Sequence, residues 1–79
     1  MFLEITGFLA GNDPDDSIKF ELDVSPEFEQ AVMALLGWES LAAEADGELP
    51  LTEAQVQEIE IAIQRSLPKE LDLFIGVRA

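Results

Sequence analysis

The sequence predicts an α+β domain in which a three-stranded sheet, in the element order β-β-α-α-β, has two helices packed on one face. Segments near both ends alternate apolar and polar residues with the period of a strand, whereas the middle repeats apolar residues with the period of a helix. The 79 residues are enough for one domain, residues 1–79, with a small core.

The first two predicted strands form a hairpin. The first strand has two faces, one of Leu3, Ile5 and Leu9 and the other of Phe2, Glu4, Thr6 and Phe8. The second runs from Ile18 to Val24, and its polar positions are Lys19, Glu21 and Asp23. Residues 11–16 between them are rich in turn-forming types, and Gly7 suggests a bulge.

The first helix begins at Ser25-Pro26, because Ser caps free N–H groups and Pro suits the first helical position. Its predicted apolar stripe is Phe28, Val32, Leu35 and Leu36. Gly37 predicts a left-handed stop, and we expect Trp38 to fold back on the helix in a Schellman motif and to belong to the core.

The second helix has a stronger start, with Thr52 and Gln55 in a capping box and Leu51 and Val56 at hydrophobic-staple positions. Pro68 should end this helix. Its predicted buried stripe is Val56, Ile59, Ile63 and Leu67. Between the helices, residues 39–47 give a weaker signal that allows one short helical turn.

The last predicted strand alternates again. One face is Leu71, Leu73, Ile75 and Val77, and the other is Asp72, Phe74, Gly76 and Arg78. This strand fits beside the first in the order 2-1-3, either parallel or antiparallel to it. The expected core consists of Ile5, Phe20, Leu22, Val32, Leu36, Val56, Ile59, Ile63, Leu73 and Ile75.

The acidic composition predicts the class of partner. The chain contains 17 Asp and Glu residues and only 4 Lys and Arg residues, which gives a formal net charge of -13. Nucleic acid and anionic membranes are poor direct partners, and we expect neither to bind, because binding would add repulsion where counterion release normally drives association. A basic protein is the natural complement, although acidity that serves only solubility is the alternative. The absence of Cys, of a basic leader and of a long apolar stretch predicts a cytoplasmic protein.

Catalysis has little support in the residue types present. The chain has no His and no Cys, which removes the usual nucleophile–base pairs and most transition-metal ligand sets, and it has no glycine-rich phosphate loop. We therefore expect neither an enzyme nor a cofactor. Asp13, Asp15 and Asp16 could hold a divalent ion, but the spacing of a calcium loop is missing and a solvated hairpin tip is favoured.

Aromatic residues on the face of the sheet away from the helices suggest a binding surface. Alternation directs Phe2, Phe8 and Phe74 outward among mostly acidic neighbours. The candidate partner-binding residues are Phe2, Glu4, Phe8, Glu21, Asp23, Asp72 and Phe74. Two alternatives stay open: cross-strand packing that only stabilises the sheet, and binding through the acidic helical surface instead.

Four segments carry a resemblance to a known group of proteins. They are Phe2-Leu3-Glu4-Ile5-Thr6-Gly7-Phe8, the strand from Ile18 to Val24 leading into Ser25-Pro26, Leu35-Leu36-Gly37-Trp38, and Leu51-Thr52-Glu53-Ala54-Gln55. In order and pattern the chain resembles the small acidic immunity proteins of bacterial polymorphic-toxin and contact-dependent-inhibition systems. The resemblance implies a cytosolic inhibitor of one cognate toxin domain and assigns a role to no individual residue.

The leading functional hypothesis is therefore an immunity protein that neutralises a basic, nucleic-acid-handling toxin. The alternatives are a phage-encoded nucleic-acid mimic that blocks a host defence system, a homodimer formed by edge-to-edge strand pairing, and a small enzyme or metal buffer.

Overall fold

The computed structural model describes residues 1–9, 17–41 and 47–78, and within them the protein is an α+β fold. Its elements are β1 (Phe2–Leu9), β2 (Phe20–Asp23), α1 (Pro26–Leu36), β3 (Glu48–Pro50), α2 (Glu53–Ile63) and β4 (Leu71–Arg78). The four strands form one antiparallel sheet in the order β2-β1-β4-β3.

The prediction of three strands is wrong, because β3 adds a fourth at the edge beside β4. β3 has only three residues and ends at Pro50, so it is too short for alternation to be recognised and contains a residue that argues against a strand. The predicted neighbours are confirmed: β1 lies between β2 and the last strand, β4, and β4 runs antiparallel to β1.

The prediction that Gly7 forms a bulge is wrong. Gly7 pairs with Phe20 of β2 on one side and with Leu73 of β4 on the other, in continuous register. The irregularity is on β2: the Lys19 N–H donates to the Gly7 carbonyl at 2.7 Å, although Phe20 is the residue opposite Gly7. This one-residue offset ends the alternation, so β2 begins at Phe20 and Ile18 is 48% exposed. Gly7 has a packing role instead, since a Cβ there would lie 3.0 Å from the Leu73 side chain.

Helix α1 begins and ends as predicted, with differences in its cap and stripe. Pro26 is its first residue, but the Ser25 side chain makes no capping hydrogen bond. Gly37 is left-handed, with φ 73°, and the Trp38 N–H donates to the Met33 carbonyl at 2.9 Å, which is the Schellman bond. Met33 is buried where Leu35 was expected, and Leu35 is exposed.

Helix α2 has the predicted capping box. The Gln55 N–H donates to Thr52 Oγ1 at 3.1 Å, and the Thr52 N–H donates to Gln55 Oε1 at 2.9 Å. The helix ends at Ile63, before the predicted stop at Pro68, because Gln64 adopts the left-handed conformation with φ 56°.

Glu60 holds the segment that follows α2. Its Oε2 accepts a hydrogen bond from the Leu67 N–H at 2.6 Å and forms an ion pair with Lys69. These contacts lower the pKa of Glu60, first through the Leu67 N–H and then through Lys69. The carboxylate thereby fixes the turn that leads from α2 into β4.

One core lies between the sheet and the two helices. The buried apolar residues are Leu3, Ile5, Val24, Val32, Met33, Val56, Ile59, Ile63, Leu67, Leu73, Ile75 and Val77. Of the predicted core, Phe20, Leu22 and Leu36 are only half-buried but pack against this cluster, as does Trp38. Both helices therefore cover the same face, as predicted.

Two sequence-based expectations fall on other parts of the chain. The acidic hairpin tip at residues 11–16 and most of the helical turn expected over residues 39–47 lie outside the described residues. In the part that is described, no helix is long and apolar enough to cross a membrane.

Candidate functional site

The candidate site is the face of the sheet directed away from α1 and α2, which we call the outer face. Strand alternation assigns it Phe2, Glu4, Thr6 and Phe8 of β1, Glu21 and Asp23 of β2, Glu48 and Pro50 of β3, and Asp72, Phe74, Gly76 and Arg78 of β4. All seven predicted site residues lie on this one face. The sequence missed Glu48 and Pro50 because it missed β3.

An aromatic pair occupies one part of the outer face. The rings of Phe8 and Phe74 meet edge to face, with their centroids 5.7 Å apart and their planes at 81°. Both side chains are half-buried, so each keeps apolar surface that a partner can cover. Pro50, directly opposite Phe74 on β3, extends this apolar area toward the sheet edge.

Thr6 is the β1 residue directly opposite Phe74. Glu4 lies opposite Gly76, one pair further along. Thr6 is 1% exposed, and among the described residues its Oγ1 has no hydrogen-bond partner. A buried hydroxyl without a partner costs free energy. The residues directly opposite Thr6 are Phe74 on β4 and Glu21 on β2.

Arg78 neutralises part of the acidic surface. Its Nε donates to Glu4 Oε1 at 2.9 Å, and its Nη2 donates to Glu48 Oε1 at 2.6 Å, so it links β1 to β3 across β4. Gly76 makes room for this, since a Cβ there would lie 2.7 Å from Arg78 Nη1. The hydrogen bond with Glu48 raises the pKa of the Arg78 guanidinium, which stays charged in any case. Phe2 lies opposite Arg78, at the end of the face remote from Phe74.

The acids of β2 have no such partner. Of the described strand residues on the outer face, Arg78 alone is cationic, and its contacts go to Glu4 and Glu48. Glu21 and Asp23 are exposed and form no ion pair with any described residue. Asp23 also lies directly opposite Glu4, an arrangement of like charges that is unfavourable across strands. This side of the face therefore carries two exposed carboxylates that form no ion pair with a described residue.

The acidic helical surface is the competing site. Glu53 and Glu58 of α2 are exposed. Glu60 instead accepts a hydrogen bond from the Leu67 N–H and pairs with Lys69, contacts that stabilise the fold. Exposed Ile61, at 78%, is the one large apolar side chain of α2 that the helix turns to solvent. An isolated apolar residue of this kind needs no functional explanation.

The described residues offer no arrangement suited to metal chemistry. No group of three or more carboxylates among them is placed to hold a metal ion, and Asp13, Asp15 and Asp16 lie outside the described part. What the outer face presents, among the described residues, is an apolar centre together with the carboxylates of Glu21 and Asp23, which form no ion pair.

Comparison of this chain with protein-family models, with curated proteins and with solved structures found no match in any of the three.

Proposed function

We propose that this chain is an immunity or inhibitor protein that binds and neutralises a basic bacterial toxin domain, of the kind that acts on nucleic acid. The proposal includes a cytoplasmic location and a mode of action by binding alone. The observation that carries it is the outer face, where the Phe8–Phe74 pair shares one surface with Glu21 and Asp23, which form no ion pair with a described residue.

The chemistry of this face favours a basic protein. Half-buried aromatic side chains at the centre of an interface contribute most of its binding energy, and charges around them steer the encounter. A net charge of -13 on so small a domain gives long-range attraction for a basic partner. A nuclease-type toxin has a positively charged substrate groove, which an acidic surface with an apolar anchor would cover.

The homodimer alternative receives less support from the described strands. Pro50 lies on β3, the edge strand at one side of the sheet. Glu21 and Asp23 lie on β2, the edge strand at the other side. Proline and charged residues on edge strands oppose pairing with a second copy.

A growth-rescue experiment tests the proposal. The terminal domain encoded by the reading frame next to that of this chain is expressed from an inducible promoter, alone and together with the chain. We expect growth arrest with that domain alone and rescue by the wild-type chain. Phe74→Ala should rescue poorly, because loss of an aromatic anchor costs about 2 kcal/mol or more of binding.

Ile61→Ala is the matched control, since it removes an exposed apolar side chain from α2 rather than from the sheet. Circular dichroism of both variants separates loss of binding from loss of fold. A neighbouring domain that is not toxic, or arrest that the wild-type chain does not relieve, would exclude the immunity function.

A further inference from the structure

The two edges of the sheet differ in the backbone groups that they present. In an antiparallel pair, residues alternate between those whose N–H and C=O bond to the neighbouring strand and those whose groups point away from it. The Val24 N–H donates to the Leu3 carbonyl at 2.9 Å, which fixes this phase for β2. Glu21 and Asp23 therefore direct their N–H and C=O groups to the free edge.

The edge at β3 is closed to a further strand. The Leu51 N–H donates to the Leu73 carbonyl at 2.9 Å, so the alternation places Glu48 and Pro50 with their backbone groups outward. Pro50 has no N–H to donate, and β3 is only three residues long. Among the described strands, β2 is the edge strand whose successive outward residues, Glu21 and Asp23, both offer a donor and an acceptor.

A second copy of the chain does not suit the β2 edge. Antiparallel pairing of two β2 strands through their outward groups places Glu21 of each copy opposite Asp23 of the other. Directly opposed like charges are unfavourable in a sheet, and neither acid forms an ion pair with a described cation. A strand that carries Lys or Arg at the same two positions gains attraction instead.

The helix side of this edge adds a second requirement. A small cavity of about 70 Å³ lies there. Its apolar lining consists of Leu22, Val24, Phe28 and Ile63, and its polar lining of Asp23, Ser25 and Arg65. Leu22 and Phe20 of β2 are half-buried, whereas Ile5 and Ile75 of the central strands are fully buried. The helices thus leave the flank of β2 incompletely covered, with room for one small aliphatic side chain.

We infer that the free edge of β2 binds an extended basic segment of the partner protein as a fifth, antiparallel strand. Its basic residues face Glu21 and Asp23 on the outer face, and the residue between them is a small aliphatic one directed at the cavity beside Leu22. The inference rests on the proposed function for its basic partner, and it specifies the element of the partner that is recognised.

A peptide experiment tests this edge without the toxin. The probe is a short capped peptide in which Lys and Val alternate, titrated into the full chain at low salt, with amide hydrogen exchange read by NMR. We expect exchange at Glu21 and Asp23 to slow by about tenfold or more at saturation, because each amide gains a backbone hydrogen bond. A peptide that alternates Glu and Val should leave both amides unchanged.

Two variants at one position separate the backbone from the charge. Glu21→Pro removes an outward N–H while leaving the hydrogen bonds between β2 and β1 in place, and it should weaken binding of the Lys-Val peptide by about tenfold or more. Glu21→Gln removes the charge but keeps the N–H, and it should weaken binding less. Should Glu21→Pro not fold, protection of the Glu21 and Asp23 amides in the wild-type chain still decides the matter.

Several results would overturn the inference. They are protection at amides other than those of the β2 edge, equal binding of the acidic peptide, binding by Glu21→Pro as tight as wild type, or a wild-type dimer through β2 at low salt. Rescue from the toxin that is unaffected by Glu21→Pro would refute the strand-addition mode and leave the immunity function standing. Peptide protection without rescue would refute the immunity function alone.

Discussion

Replacing Thr6 with Val should stabilise the fold. The Thr6 side chain is 1% exposed and its Oγ1 has no partner among the described residues, so the native state loses a water hydrogen bond and gains nothing in return. Such an unsatisfied group costs about 1–3 kcal/mol, and Val keeps the shape and the strand preference of Thr. We expect Thr6→Val to raise the free energy of unfolding by about 1–2 kcal/mol.

Urea denaturation followed by circular dichroism measures this change. With a slope near 1 kcal/mol per molar for a domain of this size, the midpoint should rise by about 1–2 M. The thermal midpoint should rise by about 4–8 °C for each kcal/mol. Thr6→Ser is the control, because it keeps the hydroxyl and loses a buried methyl, which should cost about 1 kcal/mol.

A Thr6→Val variant that is no more stable than wild type would refute this reasoning. That result would mean that the hydroxyl has a partner in solution, and the carboxylate of Glu21, directly opposite on β2, is the nearest acceptor by register. The same variant should bind the partner as wild type does, since the hydroxyl is covered and cannot be reached from outside.

Three further predictions concern stability. Gln64→Gly should stabilise by about 1 kcal/mol in urea denaturation, because Gln64 is left-handed, and a less stable variant would contradict this. Glu60→Gln should lower the free energy of unfolding at neutral pH. Because the folded pKa of Glu60 is lowered, this loss of stability should be complete above the ordinary value of 4.5 and should vanish as pH falls through the folded pKa. A loss of stability that does not depend on pH would contradict the role of the Glu60 charge. Sodium chloride should raise the thermal midpoint by screening the net charge of -13, and a steady fall would show that local ion pairs dominate.

Much of the fold was accessible from periodicity and capping residues. The alternation from Leu71 to Val77 predicted a strand and its buried face, and the Thr52–Gln55 pair predicted the start of α2. β3 was not accessible, because three residues ending in Pro50 carry no period and form a strand only where β4 is there to pair with them. The end of α2 was misjudged for a similar reason, since a left-handed Gln64 has no signal comparable to glycine.

The candidate site was accessible in part. Alternation was enough to place Phe74, Asp72 and Glu21 on one face, because side-chain direction in a strand follows from residue parity. The register between β1 and β4 was not accessible, because it depends on which residues of the two strands pair. It is this register that places Thr6 opposite Phe74. The difference between the two edges of the sheet could not be predicted either. The sequence does not show which residues of an edge strand direct their backbone N–H and C=O groups outward.

The central claim, that the outer face and its β2 edge bind a basic partner, is tested most directly by association kinetics. The domain from the growth-rescue experiment is mixed with wild type and with two doubly substituted variants over a range of sodium chloride concentrations. Glu21→Lys with Asp23→Lys reverses two exposed charges on β2, and Glu53→Lys with Glu58→Lys makes the same change on α2. Salt should slow association of wild type steeply.

We expect the β2 variant to associate much more slowly and with a weaker salt dependence, and the α2 variant to stay close to wild type. Phe74→Ala should chiefly speed dissociation, by about 30-fold for a loss of 2 kcal/mol. Should the α2 variant lose binding while the β2 variant and Phe74→Ala bind as wild type, the partner contacts the acidic helices and the outer face is not the functional surface.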